Sequence, residues 1–388
     1  MKHTRFIMAE KKKILITGAS GFIGSFICEE SLHRNMSVWA GMRKGSSRKW
    51  LQNEWLQFCT LDMTRRDTLH DQLAKFKAKH GRWDIIVHAA GATKCLHRED
   101  FDLHNYQCTC NLVDTLIELD MQPDTFVYVS SLSILGPLRE DMVAPHKLDM
   151  PAGAEAKPQF VRRFTVGESV YEPMRETDTP APNTAYGESK LKSENYLHSL
   201  SQRLASEGKK PFPYVIFRPT GVYGPREKDY FLMAKSIKSH VDFAVGYKPQ
   251  EITFVYVLDL VNAIFAAIDK KVSGRTYFVT DGYVYTSRSF SDLLQRELRV
   301  SHVLHIKAPL WVLRCVSAVS ERFSRLFGKT STLNGDKYKI MKQRNWQCDI
   351  SPLRDELGFT PQWDLERGVT TPVYSCLGNS MAEEPDEL

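Results

Sequence analysis

Tyr186 and Lys190, in the run YGESK, are the two side chains of this sequence best placed by type and spacing to move a proton. Four residues apart on a helix, a phenol and an ammonium share one face, and the positive charge favours the phenolate, drawing the tyrosine below its ordinary pKa of about 10. A phenol tuned in this way passes a proton to or from a substrate oxygen. Spacing alone describes an exposed helical pair equally well, so the surrounding chain has to decide. Ser131, in YVSSLSILG, adds a hydroxyl able to hold a carbonyl or alcohol oxygen.

A second chemical feature is KILITGASGFIG, where glycines recur three apart after a short apolar run. Gly18 permits a tight turn off a strand, Gly21 lets a pyrophosphate approach the backbone, and Gly24 lets a helix pack on a sheet. A helix starting near Phe22 would turn its free N–H groups toward the phosphate, with Ser20 and Ile23 in the same loop. A glycine-rich turn without a ligand shows the same pattern. Its place between a first strand and a first helix favours a dinucleotide site.

Where an acidic residue would hold a ribose hydroxyl pair, the chain instead reads GMRKGSSRK. Arg43 and Lys44 stand there, and a guanidinium can clamp a 2′-phosphate, so NADP(H) is favoured and NAD(H) stays open. Further on, Asp62 and Met63 close a third strand, and the carboxylate could accept from an adenine amino group. The motif HAAG follows a fourth strand, and Ala89, Ala90 and Gly91 would let the chain pass close to a flat cofactor.

The elements that must position these residues alternate. Strand patterns fall at 14–17, 37–41, 56–61, 85–88, 126–130 and 214–218, and helix patterns at 22–34, 66–79, 98–120 and 186–207. This predicts an α/β chain with a doubly wound parallel sheet and ligands at the carboxyl ends of its strands. One segment breaks the rhythm: 137–182 contains seven prolines and no sustained periodicity, and reads as a lid over the site or a flexible insertion. Beyond 220 the pattern loosens into a smaller region extending to 380, with returns to the sheet near 254–257 and 276–280.

Composition narrows the partners. The 388 residues are 42% hydrophobic and 25% charged, enough for one large core or two joined ones. The net charge of +6 is spread among interleaved acids and bases, so nucleic acid is not expected. Eight cysteines form no C-x-x-C pair, and Cys108 and Cys110 point to different helix faces, which suits packing in a reducing compartment rather than a disulfide or metal site. Residues 1–11 are a basic tail without a signal-like apolar run, 381–388 an acidic tail, and no stretch is apolar enough to span a membrane; a cytoplasmic protein is the expectation.

Taken in order, TGASGFIG, HAAG, VSSLSILG, YGESK, RPTGVYGP and TFVYVLDL resemble the extended short-chain dehydrogenase/reductases over residues 12–282. That family includes nucleotide-sugar epimerases and dehydratases, hydroxysteroid dehydrogenases and dihydroflavonol-type reductases. The resemblance implies a Rossmann-type domain over 12–219 and a smaller, discontinuous C-terminal substrate domain. It implies Tyr186 as catalytic acid/base, Lys190 as ribose contact and pKa modulator, and Ser131 as partner of the substrate oxygen. Asn105 resembles the family's helix asparagine, with a structural or relay role. Pro219, Thr220, Gly221 and Val222 would flank the nicotinamide, and a homodimer through a helical bundle is a further expectation.

Nucleotide-sugar members usually carry an asparagine in the RPTG turn and an arginine just before the late strand. Here Thr220 and Gly221 fill the first place and Ile252 and Thr253 the second, and a substrate diphosphate would lose a charge-assisted contact. The expected substrate is therefore an apolar or lipid-like ketone or alcohol, nearer the hydroxysteroid and dihydroflavonol members, with a nucleotide sugar and bound NAD as the alternative. In PLWVLRCVSAVSERFSRLFG, Val312, Cys315, Val316, Val319, Phe323, Leu326 and Phe327 recur at helical spacing. Such a face either packs on the second region or makes an apolar entrance and peripheral membrane contact.

Overall fold

Apolar alternation within each central strand builds two cores, one on either side of a single sheet. The computed structural model describes residues 11–143, 163–165, 169–326 and 334–370. Its first half runs β1 (Lys13–Thr17), α1 (Phe22–His33), β2 (Ser37–Met42), β3 (Gln57–Thr60), α2 (Arg66–His80) and β4 (Ile85–His88). Then come α3 (Arg98–Phe101), a π turn (Asp102–Gln107), α4 (Cys108–Glu118), β5 (Thr125–Val129), the short β6 (Arg163–Thr165), α5 (Ala185–Ser206) and β7 (Tyr214–Pro219). The six expected strands and four expected helices thus form within a residue or two, except that the 98–120 pattern is interrupted by the π turn.

Ile14, Ile16, Ile85, Val87, Val127, Val129, Val215 and Phe217 point to one face, where Phe26 and Ile27 of α1 cover them. Leu15, Ile86, Phe126, Tyr128 and Ile216 point to the other, under Leu69 and Leu73 of α2, Leu112 and Leu116 of α4, and Leu197 of α5. Strands buried on both faces read as near-continuous apolar runs, which is why they were legible.

After β7 the chain makes β8 (Gly221–Tyr223), α6 (Asp229–Lys238), β9 (Val241–Val245), β10 (Glu251–Ile252), β11 (Phe254–Tyr256) and α7 (Val257–Asp269). It continues through β12 (Arg275–Val279), β13 (Tyr283–Thr286), α8 (Ser289–Glu297), β14 (Leu304–Ala308), α9 (Leu310–Leu326), α10 (Gly335–Lys342), α11 (Ser351–Leu357) and α12 (Leu365–Val369). The main sheet has seven parallel strands in the order β12-β7-β5-β4-β1-β2-β3. Its order reverses at β1 and β4, the switch point where such sheets bind ligands.

The return expected at 276–280 is β12, an edge strand beside β7. The one expected at 254–257 does not occur: β11 pairs in parallel with β8 in a separate two-stranded sheet. Phe254 and Tyr256 are drawn instead into an aromatic core with Tyr223, Tyr285 and Phe290. Of the 137–182 insertion, the described parts are tied down. Arg139 forks onto Asp178 at 2.7–2.8 Å, Val170 N–H donates to Glu251, β6 pairs with β13, and Met174 is buried beside Cys348. The remaining residues of the expected lid, both terminal tails but for Lys11, and Phe327 lie outside the described residues.

In α9, Leu313 and Ser317 are buried whereas Val316 and Val319 are exposed, so over its described side chains the apolar stripe does not pack against the second region. The seven cysteines among the described residues are free, and Cys108 and Cys110 are buried, as packing predicts. No helix among the described residues is long and apolar enough to cross a membrane.

Candidate active site

The glycine turn meets the end of β4 at the switch point. Gly18 has φ +70°, and a Cβ there would lie 2.7 Å from Ala90; one on Gly24 would lie 2.2 Å from the Gly18 carbonyl. Bare backbone is thus required twice, once for the turn and once for the packing of α1 beneath it. Gly21 caps α1 without any side-chain hydrogen bond, leaving the first N–H groups of that helix without intrahelical acceptors.

In front of them opens a cleft of about 480 Å³ lined by Gly18, Ser20, Gly21, Arg43, Met63, Ala89, Ala90 and Gly91. Phe22, Ile23, Gly24 and Lys44 do not line it, and neither does Asp62. The Asp62 carboxylate accepts from Thr64 at 2.6 Å and from Arg65 at 3.0 Å, and these bonds hold its pKa below the usual carboxylate range. Ser46, Thr64, Lys94 and His104 line the cleft unanticipated. Ser46 and Lys94 follow the carboxyl ends of β2 and β4, the one signal that could have selected them.

Below the cleft runs a hydrogen-bonded chain that residue patterning did not reveal. Ala90 N–H reaches the Thr17 hydroxyl at 3.4 Å, Thr17 meets His88 Nδ1 at 2.6 Å, His88 Nε2 meets Thr109 at 2.9 Å, and the Thr109 hydroxyl donates to the Asn105 carbonyl at 2.6 Å. Since Thr109 spends its proton on Asn105, it accepts from His88 Nε2–H, and His88 Nδ1 accepts from Thr17. Burial pushes His88 down to about 3, with the nearby Lys190 charge adding to the effect, so the ring is neutral.

The π turn presents Asn105 to the loop after β4. Its Oδ1 accepts from Ala92 N–H at 2.7 Å, and its Nδ2 donates to the Ala92 carbonyl at 3.1 Å and to Ser189 of α5 at 2.9 Å. The asparagine therefore fastens the cleft's edge to the helix carrying Tyr186 and Lys190. A Cβ at Gly91 would come within 2.9 Å of Asn105 Oδ1 and 3.2 Å of Lys190 Nζ.

Ser131, Tyr186 and Lys190 lie beyond the cleft lining, at the end of β5 and the start of α5, and the structure brings them together. The Ser131 hydroxyl interacts with the Tyr186 phenol, accepts from Ser133 N–H at 3.2 Å and donates to Ser133 Oγ at 3.1 Å. Lys190 Nζ donates to the Val129 carbonyl at 2.8 Å and sits 4.8 Å from the Tyr128 ring. Burial lowers its pKa to about 8, opposed by Glu194. The expected depression of Tyr186 is not seen: burial raises its pKa, and the Ser131 hydrogen bond only moderates this. The lysine gives one of its three donors to the Val129 carbonyl and faces the Tyr128 ring.

One turn beyond Lys190, Glu194 accepts from Arg218 at 2.6 Å and from Ser130 at 2.5 Å, a buried pair that welds α5 to β7. Pro219 ends β7, Gly221 and Val222 begin β8, and between them the Thr220 hydroxyl is buried with no hydrogen-bond partner among the described residues.

A glycine cradle at the switch point, a bare helix N-terminus and an adjoining Ser–Tyr–Lys group define a nicotinamide-dinucleotide enzyme acting on CH–OH groups. A dinucleotide fits on this structure's own evidence, since the cleft of about 480 Å³ opens between Gly18, Ser20 and Gly21 at the uncapped start of α1 and Arg43 after β2. The chain belongs to the NAD dependent epimerase/dehydratase family, whose model matches residues 14–280, in keeping with the motif resemblance. A UDP-glucose 4-epimerase from Vibrio cholerae is 23% identical, with 94% of this chain and 96% of that protein covered. A decarboxylating sterol-4-alpha-carboxylate 3-dehydrogenase from Dictyostelium discoideum is 21% identical, with coverages of 92% and 99%. Among solved structures, a UDP-glucuronic acid 4-epimerase from Bacillus cereus in complex with NAD shares the fold with a TM-score of 0.65 and 19% identity, covering 95% of this chain and all of that one.

Proposed function

We propose that this chain is an NADP(H)-preferring oxidoreductase that interconverts a ketone and a secondary alcohol on an apolar, lipid-like substrate of steroid or 3-keto sphingoid type. The observation that carries the chemistry is the junction of Ser131 and Tyr186 beside Lys190 at the carboxyl edge of the sheet. Gly18, Ser20, Gly21 and the start of α1 would hold the pyrophosphate, Arg43 with Ser46 a 2′-phosphate, and Lys190 the nicotinamide ribose. When bound, the nicotinamide exchanges hydride with the substrate carbon. Ser131 turns its one proton from Ser133 Oγ to the carbonyl oxygen, and Tyr186 delivers its proton as that oxygen becomes a hydroxyl. Burial keeps the phenol protonated, which suits an acid in the reductive direction.

The substrate class is favoured by what replaces the expected polar anchors. The Thr253 hydroxyl is committed to the Trp346 carbonyl at 2.5 Å, and Ile252 packs against the aromatic cluster of Tyr223, Phe254 and Phe290. Neither the asparagine of the RPTG turn nor the arginine before the late strand, the pair that would hold a diphosphate, is present at these places. Tyr186→Phe tests the chemistry: turnover of steroid or 3-keto sphingoid ketones with NADPH should fall about 10²- to 10⁴-fold with NADPH affinity unchanged, and undiminished turnover refutes the assignment. A second reading, nucleotide-sugar epimerisation with tightly held NAD, is favoured by the activity named for the Vibrio cholerae relative. Retention of NAD(H) through purification, with UDP-hexose turned over at no net cofactor cost, would establish it instead.

A further inference from the structure

Apolar side chains gather on the outside of one corner of the C-terminal region. The parallel ribbon of β9 and β14 rests its inner side on α8, where Asp242 takes hydrogen bonds from Ser291 of α8 and from His305, each at 3.1 Å. Its outer side leaves Phe243 63%, Leu304 64% and Ile306 38% exposed, and Tyr247 follows at 67%. Only Pro309 separates β14 from α9, whose inner side is set by the buried Leu313 and Ser317. At 100° per residue the opposite side carries Trp311, Cys315, Ala318 and Val319. Trp311 is 69% exposed, and an outward tryptophan on a helix whose apolar arc faces solvent marks an interaction surface.

The charge around this surface selects its occupant. Segments 241–248 and 302–322 contain Lys248, Lys307, Arg314 and Arg322 against two carboxylates, Asp242 and Glu321, and Asp242 is buried beneath the ribbon. Arg314 and Arg322 of α9 are exposed; Lys307 leaves β14 on the His305 side, and its ammonium reaches the ribbon's end 5.3 Å from the Tyr247 ring. A two-fold pairing would bring this cationic face against a like-charged one, which is unfavourable. A plane of anionic headgroups over an acyl interior pairs with both parts of the surface: cations reach phosphate while Trp311, Phe243 and Ile306 enter the boundary layer. We propose that the outer face of β9, β14 and α9 docks this protein reversibly on an anionic lipid membrane. The proposal goes beyond the redox reading.

Co-sedimentation of the full chain with phosphatidylcholine vesicles, alone and enriched in phosphatidylserine, tests it. The protein should partition onto the phosphatidylserine vesicles and come off as salt is raised, and Trp311→Asp with Ile306→Asp should weaken partition about tenfold or more, with NADPH binding retained as the check on folding. Equal partition of variant and parent, or no preference for phosphatidylserine, overturns the proposal. So does a concentration-dependent dimer of the parent that the same double variant abolishes, since a second copy would then cover the face. Binding is read without turnover, so failure here leaves the proposed reaction untouched.

Discussion

Replacing His88 with phenylalanine removes a buried base that the fold keeps neutral while retaining an aromatic ring between Thr17 and Thr109. At neutral pH the variant loses both ring hydrogen bonds, at 2.6 and 2.9 Å, worth about 1 kcal/mol each. The pH dependence is the sharper reading. His88 is depressed from 6.5 to about 3, so between these values the unfolded chain binds a proton that the folded chain refuses. Stability from this group is therefore complete above pH 6.5 and drains away as pH falls toward 3. With about 1.4 kcal/mol per pH unit below 6.5, the parent should lose about 2 kcal/mol between pH 7 and pH 5. His88→Phe has no such proton to refuse. Urea unfolding of both proteins at pH 7, 6 and 5 should show the parent's advantage shrinking by about 2 kcal/mol and nearly vanishing at pH 5. Other titrating groups, such as Asp281 and Glu176, both raised to about 7 by burial, act in both proteins and cancel in the difference. Parallel profiles would refute the argument, because they would mean that the folded state protonates His88 as readily as the unfolded one.

Two further outcomes are expected. Arg43→Ala should weaken NADPH binding about 10- to 100-fold and NADH binding far less, by fluorescence titration; equal losses would remove Arg43 from 2′-phosphate recognition. Glu194→Gln should cost about 3–5 kcal/mol in urea unfolding by stranding the buried Arg218 charge, while Glu194→Leu with Arg218→Met recovers most of it. A Glu194→Gln protein as stable as the parent would show that the pair is not the weld described.

The sheet was legible because its strands are buried on both faces, so each appears as an uninterrupted apolar run followed by a turn. The glycine loop was legible for a related reason: few backbones other than one pressed against Ala90 need Gly18. The interior of the site was much less so. The pairing of His88 with Thr17 and Thr109 spans separations of 71 and 21 residues, and no local pattern encodes it. Lys190 shows the limit of spacing arguments. Its position one turn from Tyr186 is real, yet its ammonium is drawn to Val129 and the Tyr128 ring, which come from β5. In α9 the amphipathic stripe was correctly seen, but periodicity cannot say which side meets the body of the protein. The π turn was invisible because the one-residue phase shift that it makes falls at a single point, which an apolar pattern read across 98–120 absorbs.

That π turn gives the chain a place where fold and site can be separated by a single deletion. From Leu103 to Cys108 the backbone closes over five residues, one more than an α turn requires. Elsewhere in α4, losing a residue would swing the buried face by about 100° and strip its packing from the sheet. Within residues 102–107 the same loss would merely regularise the helix, leaving Leu112 and Leu116 in register while Asn105 leaves the Ala92 loop. The surplus residue is thus a spacer whose length is spent on aiming one amide, and a chain shortened there should keep its fold and lose the clamp on the Ala92 loop.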